Sequence, residues 1–392
     1  MRAAIPPIRR AAHIALTALC AAIALRGLSL GGASPPFRSV HGGKAIYEAA
    51  CAGCHGADGS GESQDRAGFE RPTTFPHFNK CDESTPEYTI DYAASIRNGG
   101  PARGFSPIMP AFGEVLDRRQ INEVVHYLRS LCRTSGWPPG ELNLPRALVT
   151  EKAFPEKEVV FTTSINTRKP AGVDNEFVYE QTLGRLDQLE IAIPFGWVPG
   201  SRGLTGGLGD IAVGDKHVLY SHLDMPAEAS VAQAHGSILS LQGEIILATG
   251  DAKRGLGAGE PALNVFAMYD VLRPHNLFLQ LQPGITVPRH ADGGPKNVYL
   301  RSAVGTTLAR DNGYGQQFSP AFELIVSRDL DAGARTDFDV IPELQITLSR
   351  RQHVRGAVGY RIPVNDTATR SPQFIGYVLW DWADGGLFEG WK

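Results

Sequence analysis

Cys51-Ala52-Gly53-Cys54-His55 puts two thiols one helical turn apart and follows the second directly with an imidazole. Thiols at that spacing add across the two vinyl groups of a haem, and the next histidine is then presented to the iron as proximal ligand. Zinc would want a second cysteine–histidine pair at suitable spacing, and none follows. A redox dithiol of the thioredoxin kind would need a βαβ setting, which the flanks do not supply. The pentapeptide therefore predicts one covalent haem c, tethered by Cys51 and Cys54, with iron on His55.

The flanks are helical in pattern. Residues 43–50 form a helix-compatible run carrying Ile46 and Tyr47 straight into Cys51. Asp117 with Gln120 three residues on resembles a capping box, and Ile121, Val124, Val125, Leu128 and Leu131 then mark one apolar face. A further helix, over about 87–97, is expected to stop at Gly99-Gly100. Helices crossing over a haem would bury Tyr47, Val125 and Leu128 together. The sixth iron ligand is sought between these helices. Met109 stands between Pro107 and Pro110, which are expected to hold the backbone extended and aim the thioether. Packing as core filler is the alternative for Met109. His77 and His126 are rival donors, and His126, on the closing helix, is expected to face solvent.

These motifs together resemble a class I cytochrome c domain over residues 41–135: Gly-x-x-Ile-Tyr, CxxCH-Gly, Met-Pro-Ala-Phe-Gly and a closing Val-Val-x-Tyr-Leu-Arg helix. The resemblance implies His55 and Met109 as the axial pair. An iron with both axial positions filled exchanges electrons without binding oxygen or peroxide, and methionine raises its potential relative to two histidines. Residues 56–76 are longer than a minimal domain needs. They leave the hydrogen-bond partner of His55 open, Pro72 being the candidate.

Arg2, Arg9 and Arg10, the apolar run 14–25 and the small residues 31–34 read as a secretory signal over 1–34, which would carry Cys20 away. The run falls short of the roughly 20 apolar residues of a membrane span. Export to an oxidising compartment permits a disulfide between Cys81 and Cys132, the alternative being two buried thiols. A net charge of −3, from 38 basic and 41 acidic residues with no basic stripe, argues against a nucleic-acid partner.

Pro138, Pro139, Gly140 and Pro145 mark residues 136–154 as a linker by composition. Beyond it, over 155–392, the apolar period changes to two. Runs beginning at Val159, Phe177, Leu189, Ile211, Leu239, Leu263, Leu277, Val298, Phe322, Phe338, Val354 and Phe374 make about 12 candidate strands. Glu343, Gln345 and Thr347 alternate with Leu344, Ile346 and Leu348, and Arg355 and Arg361 stand opposite Val358, Tyr360 and Ile362. The shortest connections, near Gly184, Pro274 and Arg350, fall on one side of an up-and-down barrel, with long exceptions near Met225 and Asn312. Even strand number, strands of about ten residues and asymmetric loops fit an outer-membrane barrel; a soluble sandwich also alternates and is the alternative. Trp380, Trp382, Phe388 and Trp391 suit an interfacial aromatic girdle. This half is similar to 12-stranded outer-membrane transport-type barrels, particularly at 207–211, Gly-Leu-Gly-Asp-Ile. Its histidines are scattered without metal spacing, and Gly255-x-Gly257-x-Gly259 is expected to be a loop.

The fold class expected is a small all-α cytochrome domain followed by an all-β antiparallel barrel of about 12 strands. The function expected is electron transfer by a haem anchored in, or plugging, an outer-membrane barrel, with electrons exchanged between periplasm and cell exterior and the cytochrome domain periplasmic or in the barrel lumen. A redox protein or an extracellular electron donor or acceptor would be its partner, and membrane lipid its surroundings. The chain reads more as an electron carrier than as a catalyst with its own substrate. A porin with a cytochrome plug or sensor, and a soluble periplasmic oxidoreductase with a β-rich substrate domain, are the competing expectations.

Overall fold

The computed structural model describes residues 40–381, except 63–67, 73–74, 135, 201–202, 226–232, 291–293 and 311–314. The expected signal segment with Cys20, and the aromatics Trp382, Phe388 and Trp391, lie outside the described residues.

Among the described residues five α-helices build the first part: α1 (Gly43–Ala50), α2 (Ala52–His55), α3 (Cys81–Ser84), α4 (Thr89–Asn98) and α5 (Arg118–Leu131). The capping box forms as the sequence suggests. Asp117 accepts from the Gln120 amide at 2.9 Å, and the Gln120 side chain accepts from the Asp117 amide at 3.1 Å. Helix α4 stops at Gly99, whose φ of 77° is a conformation side chains resist. Where α1 crosses α5, Tyr47, Val125 and Leu128 are buried together. Cys81 and Cys132 are joined by a disulfide that ties α3 to the end of α5.

The second part is one antiparallel sheet closed on itself. Its strands are β1 (Glu158–Asn166), β2 (Val173–Leu183), β3 (Asp187–Gly200), β4 (Gly203–Leu208), β5 (Ala212–Asp224), β6 (His235–Ile246) and β7 (Ala262–Arg273). They continue with β8 (Leu277–Pro288), β9 (Asn297–Thr306), β10 (Phe318–Asp329), β11 (Thr336–Thr347), β12 (Val354–Pro363) and β13 (Gln373–Asp381). Each strand pairs with its sequence neighbour except that β5 pairs with β3 past β4, and β13 returns to pair with β1, which closes a 12-strand barrel. The thirteenth segment, β4, is one that alternation could not reveal, because Gly203, Gly206 and Gly207 carry no side chain to alternate. It pairs with the far half of β3 while β5 pairs with the near half.

The barrel is inside out relative to a soluble sandwich. Leu219, Ile245, Val304 and Val358 are each more than 50% exposed on its outer face, whereas Lys216, Asp270, Gln280 and Glu323 are 0% exposed inside. A sandwich would bury the first set and expose the second; a barrel in hydrocarbon requires the reverse. Among the described residues no helix is long and apolar enough to cross a membrane.

Residues 136–154 need correction. Composition marks them as a linker, but from Gly140 onward they fold into the barrel. The Leu148 amide donates to Glu343 at 2.9 Å, the Glu151 amide to Gln282 at 3.0 Å, and the Ala153 amide to Asp270 at 2.8 Å. Leu142, Leu144 and Phe154 pack on Ile238, Met268, Leu272 and Phe278 of the inner wall. Proline and glycine here suit a chain without regular structure whose backbone groups are satisfied by the wall's side chains.

The long connections near Met225 and Asn312 depart from the short-turn pattern at their end of the barrel. Asn312 itself lies outside the described residues, but Arg310, just before it, reaches the helical part. The Arg310 guanidinium lies 4.2 Å above the Tyr88 ring. The loop around Gly255, Gly257 and Gly259, at the other end, is held by Asp210, which accepts from the amides of Gly250 at 2.8 Å and Ala258 at 2.6 Å.

Candidate haem site at the barrel mouth

A cavity of about 600 Å³ opens among the helices. Cys51, Cys54, His55 and Met109 all line it, with Phe75, Phe78, Phe112, Val124 and Leu128. The cysteines are brought to it by the break between α1 and α2. Both thiols are free, and burial together with Cys54 pushes the Cys51 thiol up to about 11. Such a thiol stays protonated and uncharged inside an apolar cavity.

His55 is stacked against Phe75 at 5.0 Å and tilted against Phe78 at 5.1 Å. Burial lowers its pKa to about 4, so the ring is neutral at physiological pH, the form that binds metal. Its Nδ1 is buried and lacks a hydrogen-bond partner. The Pro72 carbonyl, the candidate partner, instead accepts from the Phe75 amide at 3.1 Å. An apolar cavity of this size, with two thiols and an orphaned neutral imidazole on its wall, fits a covalently held haem.

Met109 reaches the cavity by a route different from the extended one expected. Ser106-Pro107-Ile108-Met109 folds as a turn, with the Met109 amide donating to the Ser106 carbonyl at 3.3 Å. Proline's fixed φ suits the second position of such a turn. The Gly100 amide then donates to the Met109 carbonyl at 3.0 Å, and a Cβ on Gly100 would lie 2.2 Å from the Ser106 oxygen. Gly100 is thus needed to seat the methionine turn. His77 also lines the cavity, but its Nδ1 is 3.1 Å from Glu83. His126 is half-buried and does not line it.

Two further lining residues, Lys157 and Arg351, belong to the barrel, and sequence reasoning missed both. Nothing in a basic residue beside a strand signals a site upstream in the chain's other half. They stand at the mouth where the helical part is docked. There Arg103 pairs with Asp91 at 2.6 Å and donates from Nε to the Arg350 carbonyl at 3.1 Å. Gln352 also donates to Asp91, at 3.0 Å.

Below the mouth the inserted segment is bonded to the inner wall. Arg146 on the inserted segment joins Glu158 and Glu180 of the wall at 3.0 Å each, and Lys152 pairs with Glu156. Glu151, Glu180 and Glu190 bring carboxylate oxygens within 4.8 Å of one another, but Arg146 holds two of the three. Arg355 lies near Asp381, at 3.5 Å, and Arg361 holds Asp339 at 2.5 Å. Among the described residues His217 lies against Asp187, His235 against Asp224, His290 against Glu260 and His353 against Asp381.

The family model for cytochrome C oxidase, cbb3-type, subunit III matches residues 38–128. Among solved structures, the KdgM porin is 10% identical, with 57% of this chain and 99% of that one covered at a TM-score of 0.34. The NanC porin is 7% identical, with 57% and 98% covered at 0.40. An outer membrane channel from Pseudomonas putida F1 is 13% identical, with 61% and 100% covered at 0.40. No curated protein matches the sequence. Residues 38–128 are thus similar to a cytochrome c family, and a closed 12-strand antiparallel β-barrel follows them in the same chain.

Proposed function

We propose that the protein is an electron carrier fixed at the outer membrane, holding one covalent haem c at the mouth of a sealed barrel. Cys51 and Cys54 tether the haem, and His55 and Met109 are its axial ligands. The haem supplies a one-electron couple; the chain shields it with Phe75, Phe78 and Phe112 and holds it on the barrel. The carrying observation is that Lys157 and Arg351, from the barrel side, share the cavity wall with Cys51, Cys54, His55 and Met109, while residues 142–154 pack on the inner wall beneath.

The domain faces the periplasm in this reading. Both ends of the barrel strand array, Glu158 and Asp381, lie at the mouth with the short connections, as in barrels whose termini are periplasmic. The electron partner is then a periplasmic redox protein. Exchange with the cell exterior across roughly 30 Å of hydrocarbon would need a further redox centre or a partner from the other side. Haem-stained gels of outer-membrane fractions, run with and without heating, should show one haem band that shifts as a barrel does. In intact cells that band should resist external protease and stay reduced with an impermeant oxidant. Oxidation by that oxidant would favour a conduit to the surface instead.

A porin with a removable plug is the second reading, favoured by the way residues 148–153 hang from wall side chains through backbone amides. Wild-type protein in planar bilayers should conduct little; steady open-pore conductance would favour this second reading.

A further inference from the structure

We infer that Arg351, a residue of the barrel's β11–β12 turn, is a haem-propionate ligand that completes the cytochrome's site from the other domain. The inference rests on the haem assignment proposed above. Arg351 is 5% exposed and lines the haem cavity. Its Nε and Nη2 donate to the Gly104 carbonyl at 3.3 and 2.9 Å, and its guanidinium carbon is 4.7 Å from the Phe105 ring centroid. The remaining Nη1 is buried and has no partner. Among the described residues no carboxylate lies within ion-pair distance of this guanidinium.

A buried arginine with one unused donor and no counter-charge is costly unless an anion arrives. Arg103 on the same wall differs, because Asp91 lies 2.6 Å away and balances it. A haem c brings two carboxylates into this mainly apolar cavity. Thioethers to Cys51 and Cys54 fix its vinyl edge, and the propionates leave from the opposite edge of the ring. The half-buried Lys157, also on the cavity wall, is the second cation from the barrel side. The planar guanidinium matches a carboxylate and, once paired, favours the reduced iron over the oxidised one by adding positive charge nearby. Haem incorporation thereby pins the helical domain to the barrel mouth.

The test is the midpoint potential of the full-length, haem-loaded protein in detergent, with Arg351→Gln compared to Arg350→Gln. Arg350 is the adjacent exposed cation that does not line the cavity. Removing the Arg351 charge should lower the potential, moving the oxidised-to-reduced ratio about tenfold, which is ~59 mV for one electron. Arg350→Gln should move it far less. The propionate bending bands in resonance Raman should shift in Arg351→Gln only. If that variant does not assemble, Arg351→Lys should keep most of the potential yet shift the same bands. Unchanged bands in whichever Arg351 variant carries haem overturn the inference, as do equal potential shifts at 350 and 351. Failure of wild-type protein to bind haem covalently is a different result, and it removes the functional proposal itself.

Discussion

Thr150 and Glu323 are 173 residues apart, yet the Thr150 amide and hydroxyl both donate to the Glu323 carboxylate, at 2.7 and 2.6 Å. The Val149 amide adds a third bond to the same group at 3.0 Å. One wall residue thus holds the tip of the inserted segment in mid-barrel. Bonds to a charged acceptor contribute about 1.5–3 kcal/mol each. Glu323→Ala should therefore free residues 148–151, seen as a rise in single-channel conductance and a lower temperature for the heat-induced gel shift. Conductance equal to wild type would show that the packing of Leu142 and Phe154 holds the segment unaided.

Met109 is the proposed sixth ligand, and its removal is a direct check. Met109→Ala should leave the haem attached through Cys51 and Cys54 but open one coordination position. The reduced protein should then bind carbon monoxide, and its potential should fall. His77→Ala, on the same cavity, should do neither. Carbon monoxide binding by the wild type would identify Met109 as a packing residue.

The Cys81–Cys132 bridge closes a loop over a separation of 51 residues. By the chain-entropy estimate a loop of that size is worth about 4 kcal/mol to the helical domain. Cys132→Ser should lower the thermal midpoint of that domain, followed by Soret dichroism, by well over ten degrees. The barrel, followed by far-ultraviolet dichroism, should keep its own midpoint.

Glu141 carries the pH dependence of the junction. Its carboxylate caps the start of α4, accepting from the Thr89 amide at 2.7 Å, with Arg129 at 3.8 Å. Burial alone would raise its pKa, but Arg129 and Thr89 outweigh burial and hold it below its ordinary 4.5. A depressed folded value means the stabilisation is complete above 4.5 and disappears as pH falls through the folded pKa. The wild-type domain should therefore lose thermal stability on acidification below 4.5. Glu141→Gln should be weaker at neutral pH by about 1.5–3 kcal/mol and should lack much of that acid-dependent loss.

Local order was open to reading from the chain because its determinants are local. The pentapeptide at 51–55, the Asp117–Gln120 box and the stop at Gly99 each depend on residues within one or two helical turns. Period-two alternation found 12 strands because a barrel wall separates hydrocarbon from lumen at every step. β4 escaped because its glycines leave that period blank.

The sequence by itself determined a helical domain with a haem-attachment motif, a β-rich half and the residues 51, 54, 55 and 109 as candidate ligands. Only the tertiary structure decided that the apolar set faces outward, that residues 142–154 pack on the inner wall, and that Arg351 and Lys157 line the cavity of the candidate haem site. Each of those depends on the sheet closing between β1 and β13. Closure converts side chains that are far apart in the chain into neighbours across a lumen or a mouth, and no short-range pattern records that. Gly140 shows the same limit at one residue. It reads as linker flexibility, yet a Cβ there would lie 2.1 Å from the Pro86 carbonyl oxygen, so it is the contact that lets the chain leave the helical domain and enter the barrel.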